Sequence, residues 1–158
     1  MVVWTLSRLK GKVAVMTERG YQLLQDTVER LLRRDATVHL RNNLKKTHPA
    51  DIAYLFKLLD QRSAQLVFEL LPDTATAAEV LSEMQPALRI EFLQHLETDR
   101  LVEILSAMAD DDAADLLADL PDEFREQILG LMSHEDTEEV AELLSYPEDS
   151  AGRIMTTD

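Results

Sequence analysis

A repeat constrains this chain more than any other feature. Four segments align without forcing: IAYLFKLLD at 52–60, AAEVLSEMQ at 77–85, LVEILSAMA at 101–109 and REQILGLMS at 125–133. Their starts are 25, 24 and 24 residues apart. A second apolar run follows each copy: Leu66 to Leu71, Phe92 to Leu96, Leu116 to Leu120 and, more weakly, Val140 to Leu144. Within a run the spacing is helical, as in Leu101, Ile104, Leu105 and Met108, which repeat every three or four residues. Prolines at 72, 86, 121 and 147 fall between the runs, where they stop or start helices. No stretch alternates as a strand would. Each unit is therefore two short helices joined by a polar turn. One such pair cannot bury its apolar stripe, but stacked pairs can. The expectation is an all-α solenoid of short helix pairs with a 24–25-residue repeat. Residues 18–34 read as a longer leading helix through Tyr21, Leu24, Val28, Leu31 and Leu32, and a short helix near 36–46 links it to the stack.

Composition limits what the stack is made of. Apolar residues are 46% of the 158, but aromatics only 5%, so the core is expected to be Leu, Ile, Val, Ala and Met. There are no cysteines, which excludes disulfides, thiolate zinc sites and Cys nucleophiles. Four scattered glycines cannot form a phosphate-cradling loop. No apolar run approaches the roughly 20 residues of a membrane span. Residues 1–16 are broken by Arg8, Lys10 and Lys12 and lack a cleavage site, so a signal peptide is not expected. The sequence as given reads as a soluble, intracellular piece.

The charge is divided. The net charge is −14, but residues 1–48 hold ten basic and four acidic residues, and residues 49–158 hold six and 26. A head of +6 therefore precedes a body of −20. The body disfavours nucleic acid and invites cations or basic partners. The head reads as solvated helices, or as a basic patch on which Arg30, Arg33, Arg34, Arg41, Lys45 and Lys46 could gather for a partner or an anionic lipid.

The chemistry of catalysis is missing. His39, His48, His95 and His134 are widely separated and form no ligand pattern. His48, just before Pro49, reads as capping or packing at a helix start rather than as a metal ligand. No serine has a nucleophile-elbow context. No enzyme activity is expected.

The densest acidic cluster is Asp110, Asp111, Asp112, Asp115 and Asp119. Asp111, Asp115 and Asp119 are spaced i, i+4, i+8 and so share one helix face, with Asp112 beside Asp115. Asp110 reads as an N-cap, and its neighbours suit the positive end of a helix. Asp115 and Asp119 lie beyond that first turn. They read either as a solvated face or as part of a divalent-cation face, since hard cations take carboxylate oxygens and complete their shell with water. Glu79 and Glu83 form a second i, i+4 acidic pair on the preceding repeat.

The string YPEDSAGRIMT at 146–156 closely resembles the junction of MgtE-family magnesium transporters between the N-terminal helical domain and the first CBS domain. His48-Pro49-Ala50-Asp51, Ala77-Ala78-Glu79-Val80-Leu81 and Asp111-Asp112-Ala113-Ala114-Asp115 are also similar to that family. The resemblance spans about 46–158. Residues 1–17 and 18–46 lie outside it and are expected to be an extension and the leading and linker helices; the resemblance implies the helical-repeat N domain at 47–145 as a right-handed superhelix and a linker at 146–158 into a CBS domain. It implies a cytosolic regulatory domain on the inner side of a membrane, within a homodimeric transporter. There it would sense Mg²⁺ through acidic faces that close against the protein's own CBS domains and gate the pore. The family's carboxylates map onto Glu79, Asp111 and Asp115, with Asp112 and Asp119 as neighbours. Without the facing domain each is half a site, so affinity for Mg²⁺ in isolation should be weak. The alternatives are a protein-interaction scaffold like the flagellar motor switch protein's middle region, and a soluble N–CBS regulator with no pore.

Overall fold

A computed structural model describes residues 16–146. The expected extension and the junction string lie almost wholly outside them. The described residues form ten α-helices and no strand: α1 (Glu18–Arg33), α2 (Thr37–Leu44), α3 (Pro49–Leu58), α4 (Gln61–Glu69), α5 (Thr74–Glu83), α6 (Pro86–Leu93), α7 (Thr98–Leu105), α8 (Asp110–Ala118), α9 (Asp122–Leu129) and α10 (His134–Ser145).

The repeat is visible in the helix starts. α3, α5, α7 and α9 begin at 49, 74, 98 and 122, and α4, α6, α8 and α10 at 61, 86, 110 and 134, both series stepping by 25, 24 and 24. Local chemistry sets these starts. Pro49 and Pro86 stand in the first turn of α3 and α6, where a missing N–H costs nothing. Thr17, His48, Asp60, Asp73 and Ser133 cap α1, α3, α4, α5 and α10 by accepting from a free backbone N–H. Asp73 accepts from the backbone N–H of Thr76 at 2.7 Å and from its hydroxyl at 2.8 Å. His48 accepts from Ala50 at 3.3 Å through Nδ1, as its position before Pro49 suggested. Asp110 differs from expectation. Ala109 is the N-cap, because its carbonyl already accepts from the N–H of Ala113 at 2.9 Å. Asp110 is therefore the first residue of the helix, where the dipole favours its charge.

The odd-numbered helices pack in sequence order: α1 on α3, α3 on α5, α5 on α7 and α7 on α9. α2 packs on α1, and α10 on α8. This nearest-neighbour order is consistent with the expected solenoid. The buried faces are those the spacing indicated, including Ile52, Leu55 and Phe56 on α3, Ala77, Val80 and Leu81 on α5, and Leu101, Ile104 and Leu105 on α7. The core is not purely aliphatic, however. Phe56, Phe68 and Phe92, from α3, α4 and α6, are buried against one another with ring centroids 5.0–6.3 Å apart. A count of aromatics does not say where the few are placed.

The leading helix is tied to the stack by polar as well as apolar contacts. The Tyr21 hydroxyl donates to Asp51 at 2.8 Å. Its ring lies 4.1 Å from that of Tyr54, and the Lys57 ammonium sits 5.7 Å from the Tyr54 ring centre. Gln25 donates to the Leu58 carbonyl at 3.1 Å. Burial, then the hydrogen bond to Asp51 and its charge, push the Tyr21 hydroxyl up to about 12. Asp35 closes α1 in the left-handed region at φ 51°, a conformation Asp tolerates better than most residues, and α2 follows two residues later.

Two expected outcomes follow from this packing. Leu101 is fully buried in α7, so Leu101→Ala should destabilise the chain by about 2–5 kcal/mol, measured by urea unfolding. Tyr21→Phe should cost about 1 kcal/mol at neutral pH. Because the folded Tyr21 titrates near 12, above the ordinary value of 10.0, its contribution is complete below about pH 10 and fades as pH rises through 12. The gap between wild type and Tyr21→Phe should therefore close over that window in alkaline melts.

Candidate cation site

α5 turns Ala77, Ala78, Val80 and Leu81 inward. The same helical period turns Glu79 and Glu83 outward. Between them Ser82 is half-buried and donates its hydroxyl to the Ala78 carbonyl at 3.2 Å, so it offers no spare proton to the outside. α8 buries Ala113, Ala114, Leu116 and Leu117, leaving Asp112 and Asp115 exposed and Asp111 half-exposed. Small alanines inside and carboxylates outside fix which way both helices face.

Glu79, Glu83 and Asp112 line a single open depression of about 370 Å³. Its floor and sides come from Ala78 of α5, from Ala107, Met108 and Ala109 before α8, and from His48 and Pro49 at the start of α3. Three successive repeats thus contribute to one surface. Their registration follows from the packing of α3 on α5 and of α5 on α7.

This arrangement regroups the residues singled out from the sequence. Glu79 is on the depression, joined by Asp112 rather than by Asp111 or Asp115. Asp112 is one residue, or about 100°, around the helix from Asp111. That rotation is enough to bring it to the depression while its neighbours face elsewhere. Glu83, not among the expected ligands, is present as well; its i, i+4 spacing from Glu79 was the signal.

Asp119, the C-cap after Ala118, keeps a helical backbone with its N–H directed at the Asp115 carbonyl, and its carboxylate pairs with the guanidinium of Arg89 from α6. Arg89 is buried, and its Nε has no hydrogen-bond partner among the described residues. A buried guanidinium needs its carboxylate, so Asp119 is engaged in the fold.

Among the described residues no three His, Cys, Asp or Glu side chains come together closely enough to hold a metal ion. What the depression offers is hard oxygen donors on an open surface, with no thiolate. This donor chemistry suits Mg²⁺, which accepts one or two carboxylates and keeps several waters. No described helix is long and apolar enough to cross a membrane.

Comparison with known proteins places this geometry in context. The family profile of the MgtE intracellular N domain matches residues 47–149. The fold is similar to the crystal structure of the cytosolic domain of the Mg²⁺ channel MgtE in complex with ATP, with a TM-score of 0.76 and 35% identity over 84% of this chain and 54% of that one. It also resembles the crystal structure of the soluble part of a magnesium transporter, with a TM-score of 0.78 and 23% identity over 87% of this chain and 54% of that one. At that identity the second likeness concerns the fold alone. The chain thus spans little more than half the length of either structure. No curated protein matches it.

The Arg89–Asp119 pair gives a direct expectation. Asp119→Ala strands a buried guanidinium and should cost about 1.5–3 kcal/mol. An apolar double replacement, Arg89→Met/Asp119→Leu, should recover most of that loss. Urea unfolding of the single and double variants measures both.

Proposed function

This chain belongs to the MgtE intracellular N-domain family, and from that premise we propose that it is the cytosolic regulatory domain of a Mg²⁺ transporter or channel. The observation that carries the reading is the convergence of Glu79, Glu83 and Asp112 on one open surface. It is reinforced by a body of six basic and 26 acidic residues from 49 to 158.

The work of these residues is electrostatic. Outward carboxylates on α5 and α8 repel any acidic surface that approaches them. Monovalent salt screens that repulsion only beyond about a Debye length, roughly 8 Å at physiological strength. A bound Mg²⁺ supplies a compact double charge that carboxylates on two facing surfaces can share, directly or through its waters. Glu79, Glu83 and Asp112 would form this chain's share of such a site. Facing donors would come from CBS domains that the 146–156 string resembles the approach to. Asp111 and Asp115 would lie on an adjoining acidic face and serve a second contact of the same kind. In this proposal low Mg²⁺ leaves the faces apart, and high Mg²⁺ draws them together and closes a transmembrane pore. The parent protein acts as a homodimer.

Thermal melts at constant ionic strength test the reading. With only one side of each site present, about 10 mM Mg²⁺ should raise the melting temperature of this chain by only about 1–3 °C over matched Na⁺, the size expected from a dissociation constant of roughly 3–10 mM. Glu79→Gln/Asp112→Asn should abolish more of that response than Asp111→Asn/Asp115→Asn. A chain extended through its CBS domains should respond more strongly. If Mg²⁺ does no more than Na⁺ for both the short and the extended chain, the sensing role is wrong.

A further inference from the structure

Residues 36–50 contain no Asp or Glu, in a chain with 30 of them. Most of this acid-free run is α2 and the turn before α3. α2 is held to the fold by only two buried side chains, Leu40 and Leu44, both 1% exposed. The rest of its circumference is open, and Val38 stands 70% exposed on the side away from those leucines. Arg41, Lys45 and Lys46 are exposed around it. Arg30, Arg33 and Arg34 at the end of α1 are exposed as well. Residues 30–46 thus present six cations against one acid, Asp35.

Little of this charge is used internally. Arg33 pairs loosely with Glu29 at 3.5 Å, with the arginine side chain 70% exposed. Lys45 lies near the charge of Asp73. Arg34, Arg41 and Lys46 make no ion pair among the described residues. Among the described residues the edge they form is terminal, since α1 begins the row that runs through α3, α5, α7 and α9.

We propose that this α1–α2 edge docks on an anionic lipid surface, with Val38 as an apolar contact at its centre. The inference rests on the reading that the parent protein sits in a membrane. A cluster of four to eight Lys or Arg beside a membrane is the pattern that anionic headgroups attract. The net charge of −14 does not oppose it. Only charges within about a Debye length, roughly 8 Å, of the lipid matter, and a flat surface touched by one end of the stack meets that end alone. The acidic body is repelled, so attraction and repulsion together orient the stack away from the membrane. A second copy is a poorer occupant: basic edge on acidic body is a head-to-tail contact, which runs into open filaments unless its rotation closes a ring.

Flotation of the full chain with vesicles tests the proposal, in chelator and without Mg²⁺, so that the outcome is independent of the cation site. Vesicles of neutral phosphatidylcholine are compared with vesicles holding about a third phosphatidylserine. Binding should require the anionic lipid, weaken as salt rises, and fall about tenfold or more in Arg41→Glu/Lys46→Glu. That variant keeps Lys45 beside Asp73 and should melt as wild type does. Val38→Asp should weaken binding too. Equal binding to neutral vesicles, or undiminished binding by the charge-reversed chain, would overturn the inference. So would self-association on sedimentation that the same variant abolishes, with no vesicle binding. Failure here leaves the Mg²⁺ response of Glu79 and Asp112 untouched, and the converse also holds.

Discussion

Burial of one helix's apolar stripe against its neighbour in the next repeat is the interaction everything else depends on. The repeat helices are eight to twelve residues long, which is marginal for an isolated helix in water. None could persist on its own propensity. Each is stabilised by side chains such as Ile52, Leu81, Leu101 and Ile128, all inaccessible to solvent. The contacts are local in sequence, one repeat to the next. In such a stack stability is approximately a sum of unit and interface terms, so a cavity in one repeat weakens chiefly its own two interfaces.

This burial also decides where the charges stand. A helix that must turn Ala77, Val80 and Leu81 inward has no choice but to turn Glu79 and Glu83 outward. α8 does the same with Ala113, Ala114, Leu116 and Leu117 inside and Asp112 and Asp115 outside. The alanines matter for a second reason. Small side chains let consecutive helices approach, so carboxylates from repeats 24–25 residues apart meet at one depression. The exception is Arg89, a cation buried in an acidic stack. Its pairing with Asp119 removes one carboxylate from the surface and joins α6 to the end of α8.

Charge is segregated along the same axis. The acid-free α2 and the basic end of α1 occupy one end, and the acidic helices follow. The Tyr21–Asp51 hydrogen bond, the Tyr21–Tyr54 contact and Gln25 on the Leu58 carbonyl hold the basic end to the acidic part. The asymmetry is thus a property of a connected fold and not of two loosely tethered pieces.

Helix number and order were legible in the sequence by itself. They depend on local rules: a 3.6-residue period, a proline or capping residue at most starts, and a step of 25, 24 and 24. His48 as a cap and the outward pairing of Glu79 with Glu83 came from the same rules. The core phenylalanines did not, because Phe56, Phe68 and Phe92 meet only when three helices pack. Nor did the fates of Asp112 and Asp119. Spacing along one helix groups Asp111, Asp115 and Asp119, but the carboxylates nearest Glu79 are set by how α5 and the α7–α8 turn lie against each other. Tertiary structure chose Asp112 for the shared depression and gave Asp119 to Arg89. The physical reason is that helical periodicity fixes the direction of a side chain relative to its own axis, and only packing fixes the axes relative to one another.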